Sequence, residues 1–140
     1  MGCILRISGP TLDIDQLQSN CELLVHRFWK KDEVRSVTAK PNLTSGASFV
    51  VSDAGLDEFA QQLIDATAYI QDNMLEITRL CDSAGVDLAF VDFGVAIYED
   101  SVDVCSHLPA TFVKLAATAG LGIEVSYYAC SHEDAESSEA

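Results

Sequence analysis

The chain has 140 residues, 22 of them acidic and 8 basic, with a formal net charge of −14. That length supports one well-formed core rather than two, and an apolar fraction of 49% excludes a disordered acidic chain. The charge excludes an extended nucleic-acid-binding face, which must neutralise phosphates with Lys and Arg.

Cys3-Ile4-Leu5-Arg6-Ile7-Ser8 reads as a strand with Cys3, Leu5 and Ile7 on one face, ended by Gly9-Pro10. Asp13 offers an N-cap with Gln16 as capping-box partner. Ile14, Leu17, Cys21 and Leu24 then follow at helical spacing, so a helix is expected over 14–24. Phe28-Trp29 reads as a strand end before the charged turn Lys30-Lys31-Asp32-Glu33. Val34 to Lys40 has weak β character, Pro41 to Gly46 is a loop, and Ala47 to Ser52 is a β-branched run. Together these predict a hairpin or an irregular strand pair.

The strongest periodicity runs from 56 to 84, through Leu56, Phe59, Leu63, Ala66, Ile70, Met74, Ile77 and Cys81. One helix of that length would be about 43 Å long, against a radius of gyration of about 14 Å for such a chain. The spacing therefore predicts two helices or a kink near Asp72-Asn73, with Asn73 capping the second and Glu76 as its partner. Gly85 ends the run. In the strand Val86 to Tyr98, Val86, Leu88 and Phe90 hold one parity, and Phe93, Val95 and Ile97 the other. Either a β-bulge near Asp92-Gly94 or a strand buried on both faces accounts for this. Glu99 to Asp103 is an acidic loop. Pro109 suits the first position of a helix whose stripe is Phe112, Leu115, Ala116 and Ala119 and whose end is Gly120. Ile123 to Tyr128 alternates as a closing strand.

This order predicts a single α+β domain over 1–130: a mostly antiparallel sheet of about five strands covered by helices on one face, a ferredoxin-like or split βαβ variant. Residues 131–140 read as an acidic disordered tail.

The charge is unevenly distributed. Residues 27–40 hold five basic and two acidic residues, and the rest of the chain holds 3 basic and 20 acidic. Such an acidic body either keeps the protein soluble or steers it onto a basic partner. The cysteines Cys3, Cys21, Cys81, Cys105 and Cys130 are odd in number and lack any CxxC. That pattern favours free thiols in a reducing cytosol. Met1-Gly2-Cys3 lacks the Ser or Thr at position 6 that myristoylation requires, and no apolar run approaches the ~18 residues of a membrane span. No membrane partner is expected, and the Asn42-Leu43-Thr44 sequon carries no meaning in a cytosolic protein.

Metal-ligand spacing, a Walker A loop and G-x-S-x-G are missing from the sequence, so neither cofactor nor metal is expected. Cys105-Ser106-His107 brings a thiol and an imidazole close in sequence without implying a hydrogen bond. Among the carboxylates, Asp57 and Glu58 suit a helix's first turn. Glu99, Asp100 and Asp103 have no cationic partner nearby in sequence, which makes them candidates for a partner's Lys or Arg. Trp29 is the one tryptophan. It is either core packing or, exposed beside Arg27 and Lys30, an interface anchor. The same cluster could hold a small anion or a nucleotide phosphate.

The succession Ile7-Ser8-Gly9, Leu12-Asp13-Ile14-Asp15-Gln16-Leu17, a Trp-Lys segment, a long helical pair, His107-Leu108-Pro109, an Ala/Leu-rich helix, Gly120 and the strand Ile123 to Tyr128 resembles a small bacterial family of unknown function, over residues 4–128. Lys31-Asp32 stands where family members often have Gly-Asp, and Ser126 where they often have Asp. The resemblance implies a compact bacterial cytosolic α+β domain and assigns no catalytic residue. Similar small acidic domains often sit beside toxin genes as immunity proteins. The leading expectation is therefore a non-enzymatic bacterial immunity protein. It would neutralise a cognate toxin, or bind another basic protein, through Glu99, Asp100 and Asp103, with Trp29 as aromatic anchor. The alternatives are a small-ligand sensor or accessory domain, with a pocket between sheet and helices and Trp29 and Arg27 at its mouth, and a small enzyme using Cys105 and His107.

Overall fold

The computed structural model describes residues 1–132; the acidic stretch 133–140, part of the expected tail, lies outside the described residues. In chain order the elements are β1 (Cys3–Gly9), α1 (Ile14–Asn20), β2 (Arg27–Trp29), β3 (Ser45–Ser52), α2 (Phe59–Asp72), α3 (Met74–Cys81), β4 (Leu88–Tyr98), α4 (Ala110–Ala119) and β5 (Gly122–Cys130). One sheet has the order β2-β3-β1-β4-β5. β3 is antiparallel to both β1 and β2, and β1 is antiparallel to β4. β1 and β2 therefore run parallel with β3 between them, the split βαβ arrangement. The α4 crossover then adds β5 parallel to β4. The α+β class and the mostly antiparallel five-stranded sheet are as expected.

Alternation decides which face is covered. Cys3, Leu5 and Ile7 of β1 are fully buried and continue across the sheet into Phe49 of β3 and Val91 and Phe93 of β4. The helices close over this face with Ala66, Ile70, Ile77, Phe112 and Ala116. Phe93 is gripped edge-on by Phe59 and Phe112, with ring centroids 5.4 and 5.5 Å away, a favoured aromatic geometry. The other parity (Ile4, Arg6, Ser8, Ser48, Phe90 and Asp92) forms the outer face of the sheet.

Local signals hold in most places and fail in three, while β4 takes the second of its two expected forms, a strand buried on both faces. Asp13 caps α1 by accepting from the Gln16 amide at 3.1 Å. The helix stops at Asn20 rather than 24. Ser19 turns its hydroxyl back to the carbonyls of Asp15 and Gln16, Cys21 is extended, and Leu24 is left 92% exposed. The break at Asp72-Asn73 is present, but Asn73 does not cap α3. Its Nδ2 donates to the Tyr69 carbonyl at 2.9 Å and so finishes α2, while Glu76 pairs with Arg79. No bulge interrupts β4 at 92–94. Its pairing with β5 is continuous from Phe90 to Tyr98, and residues 90–96 are buried on both faces. Pro109 is the residue preceding α4 rather than its first. Gly85 and Gly120 both take φ +88°, the left-handed conformation glycine adopts without penalty.

The outer face is tied at one end by Gln62. This fully buried side chain donates through Nε2 to the carbonyls of Gly55 and Gly94, both at 2.8 Å. It thereby holds the 53–58 segment beside β4, where Leu56 covers Gly94.

Candidate functional site

The acidic loop continues from the end of β4. Residues 99–103 are all exposed, including Glu99, Asp100, Asp103 and the apolar Val102 at 101%. Asp100 faces His132 Nε2 at 3.2 Å, and the His132 ring stacks on Tyr98 with centroids 4.9 Å apart. Tyr98 in turn donates its hydroxyl to Asp57 at 2.5 Å. His132, expected in a disordered tail, thus braces the base of the loop. Glu99 and Asp103 enter no ion pair among the described residues.

Beside this loop runs β5, the last strand of the sheet. Tyr127 and Tyr128 lie opposite Val95 and Ala96, just before the loop begins, and are 49% and 47% exposed. Sequence alternation places Tyr127 inward with Ile123 and Val125. It stays exposed because β5 is an edge strand, and the helical cover thins there. The available signal was positional: a closing strand reached by a parallel crossover tends to an edge. The corner thus combines two tyrosines, one exposed valine and two unpaired carboxylates.

Trp29 does not belong to this corner. Register carries Trp29 through Gly46 and Ser8 to Leu88. It therefore sits three strands and ten residues of β4 away from Tyr98, about 14 Å across and 33 Å along. The indole lies on Gly46, where an added Cβ would fall 2.3 Å from Trp29 Cζ2, and it points Nε1 at Thr44 Oγ1, 3.5 Å away. It is half-buried rather than core.

Trp29 and Arg27 do line a cavity of ≈ 380 Å³, but on the outer face of the sheet and not between sheet and helices. Arg6, Arg35, Asn42 and Ser48 share its wall, and no carboxylate does. Arg6 Nη1 reaches Asp92 Oδ2 at 3.0 Å. Asp92, only 6% exposed, also accepts from Ser126 Oγ at 2.7 Å. Arg27 and Arg35 have no ion-pair partner among the described residues. This cluster was half legible: residues 27–40 announce a basic segment, but only the strand register brings Arg6 to it.

The remaining chemistry is sparse. Cys105 and His107 are both exposed, and no hydrogen bond joins them. Burial pushes the Cys3 thiol far up and the Cys81 thiol to about 11, with the Asp92 and Asp82 charges adding respectively. Among the described residues no three His, Cys, Asp or Glu side chains converge as a metal site would need, and no helix is long and apolar enough to cross a membrane. Comparison with protein families, with curated proteins and with solved structures finds no match to this chain.

Proposed function

We propose that this chain is a non-enzymatic binding protein of the immunity type, a bacterial cytosolic domain that neutralises a basic cognate toxin by direct contact. The observation that carries the reading is the corner where exposed Tyr127 and Tyr128 of the edge strand adjoin the unpaired carboxylates Glu99 and Asp103. Tyrosines supply amphipathic contact area at low entropic cost, and carboxylates steer a basic partner onto it. Among the described residues neither carboxylate has an ion pair to break before it binds.

Size sets the extent of the surface. A standard interface covers about 800 Å² on each partner, roughly a tenth of this molecule's 8531 Å². Five loop residues cannot supply that, so the footprint extends along β5 and its two tyrosines. A round patch of about 800 Å² has a radius of about 16 Å, which leaves Trp29 outside it. The aromatic anchor of this reading is accordingly the tyrosine pair, not Trp29.

The test is co-expression with the product of the adjacent open reading frame in a host that this product kills. The wild-type chain restores growth. Glu99→Lys/Asp103→Lys, with an unchanged circular dichroism spectrum, does not. Equal protection by both forms, or no protection by either, would refute the reading.

A further inference from the structure

We propose that the arginine-lined cavity on the outer face of the sheet binds a small phosphorylated ligand carrying a planar ring, of the nucleoside-diphosphate class. The site is separate from the acidic corner, at the far end and toward the opposite edge of the sheet.

The sequence holds four arginines, and three of them, Arg6, Arg27 and Arg35, wall this one cavity. Two come from adjacent positions in the sheet. Arg27 and Arg6 are both register partners of Ser48, on the strands either side of it, so their side chains rise from the same face about 10 Å apart at the backbone. That spacing suits two guanidiniums gripping one anion between them. Ser48 lies between them as a donor, and its hydroxyl has no bond to any described side chain. Arg35 arrives from the 30–44 loop. Asn42 fixes that loop: its backbone N–H donates to the Glu33 carbonyl at 2.9 Å, its carbonyl accepts from Asp32 N–H at 2.8 Å, and its Nδ2 donates to the Lys30 carbonyl at 2.9 Å. Asp32 supports the turn with φ 69°.

Three positive side chains facing one space repel one another, and no carboxylate of the wall offsets them. Among the described residues only Arg6 of the three is paired, from one side, with Asp92. A di-anion relieves the repulsion and offers guanidinium the bidentate geometry it favours. The net charge of −14 does not cancel this. Solvent-exposed charges beyond about 8 Å are largely screened at physiological salt, while contacting guanidiniums are not.

The ring requirement comes from Trp29. Its indole packs against Gly46, two residue pairs along from the Arg27–Ser48 pair and so on the same face of the sheet. It therefore presents a π surface next to the cationic floor. A cavity of ≈ 380 Å³ matches one nucleotide-sized ligand and gives no track for a strand.

Trp29 is the sole tryptophan, so its fluorescence reports occupancy directly. Titrations would use ADP, GDP, UDP, adenosine and pyrophosphate at physiological ionic strength, where the distant acidic charges are screened. At least one diphosphate is expected to quench saturably and to bind at least tenfold tighter than adenosine or pyrophosphate. Arg27→Gln and Arg35→Gln should each weaken it about tenfold. Both side chains are exposed and make no hydrogen bond or ion pair among the described residues, so the fold is retained, as circular dichroism checks. Lys114→Gln, on the exposed face of α4, should bind as wild type. The proposal is overturned if none of the three diphosphates gives a saturable change, if pyrophosphate binds as tightly as the best of them, or if the Arg27→Gln/Arg35→Gln double variant binds unchanged.

Discussion

Replacing Asp92 by Ala separates the stability of the sheet from the charge of its cavity. Asp92 is 6% exposed and accepts from Arg6 Nη1 at 3.0 Å and Ser126 Oγ at 2.7 Å. Hydrogen bonds to a charged group contribute about 1.5–3 kcal/mol each. Two effects reduce the sum. The variant recovers the desolvation cost of a buried carboxylate, and Arg6, 38% exposed, turns to water instead of being stranded. A net loss of about 2 kcal/mol results. With an unfolding entropy of about 2.1 cal/mol/K per residue, 140 residues give about 0.29 kcal/mol/K, so Tm should fall by about 7 °C. The same change releases Arg6 into the cavity and should tighten diphosphate binding several-fold. Scanning calorimetry and Trp29 fluorescence read the two effects on one sample. A Tm within 2 °C of wild type would refute the assigned role of Asp92, and weaker ligand binding would refute the assigned role of Arg6.

Gly46→Ala should lift the indole off β3, since the new Cβ meets Trp29 Cζ2; a red-shifted Trp emission checks it, and an unmoved spectrum contradicts it. With a thiol reagent at pH 8, exposed Cys105 should react first, half-buried Cys81, its pKa pushed up, more slowly, and fully buried Cys3 only once denaturant is added. Mass mapping of the labelled peptides gives the order. The Asp65 carboxyl is held below its ordinary value by bonds from Ser52 Oγ and Gln61 Nε2. Its folded-state pKa being the lower, its contribution is present above about pH 4, the unfolded value, and is lost as pH falls through the folded one. The stability difference between wild type and Ser52→Ala should therefore narrow in acid, and a difference that widens there would contradict the sign.

The legible parts of the fold were those governed by local periodicity and glycine chemistry. The stripe over 56–84, the break at Asn73 and the left-handed Gly120 depend on residues within one or two turns of each other. Register governed the rest. Phe90 and Phe93 could have shared a face through a bulge. They take opposite faces and both are buried, while farther along β4 Leu56, held by Gln62, covers the outer side at Gly94. The Asp13 cap was readable and the length of α1 was not: the spacing of Cys21 and Leu24 continues the helical stripe, but the backbone turns extended at Cys21. The acidic loop was visible as composition. Its aromatic neighbours were not, since whether a closing strand lies at an edge is a property of the sheet. Arg6 stood in plain view on β1, but nothing local connects it with Arg27 or Arg35.

The central claim is that the acidic corner recruits a basic partner electrostatically. Its most direct test is the association rate with the adjacent gene's product, measured across ionic strength for wild type and Glu99→Lys/Asp103→Lys. Steered association falls steeply with salt. The wild-type rate constant should drop at least tenfold between about 10 and 500 mM salt while dissociation changes little, and the variant should start at least tenfold slower with a flatter dependence. A wild-type rate indifferent to salt, or a variant that associates as fast as wild type, would contradict the account.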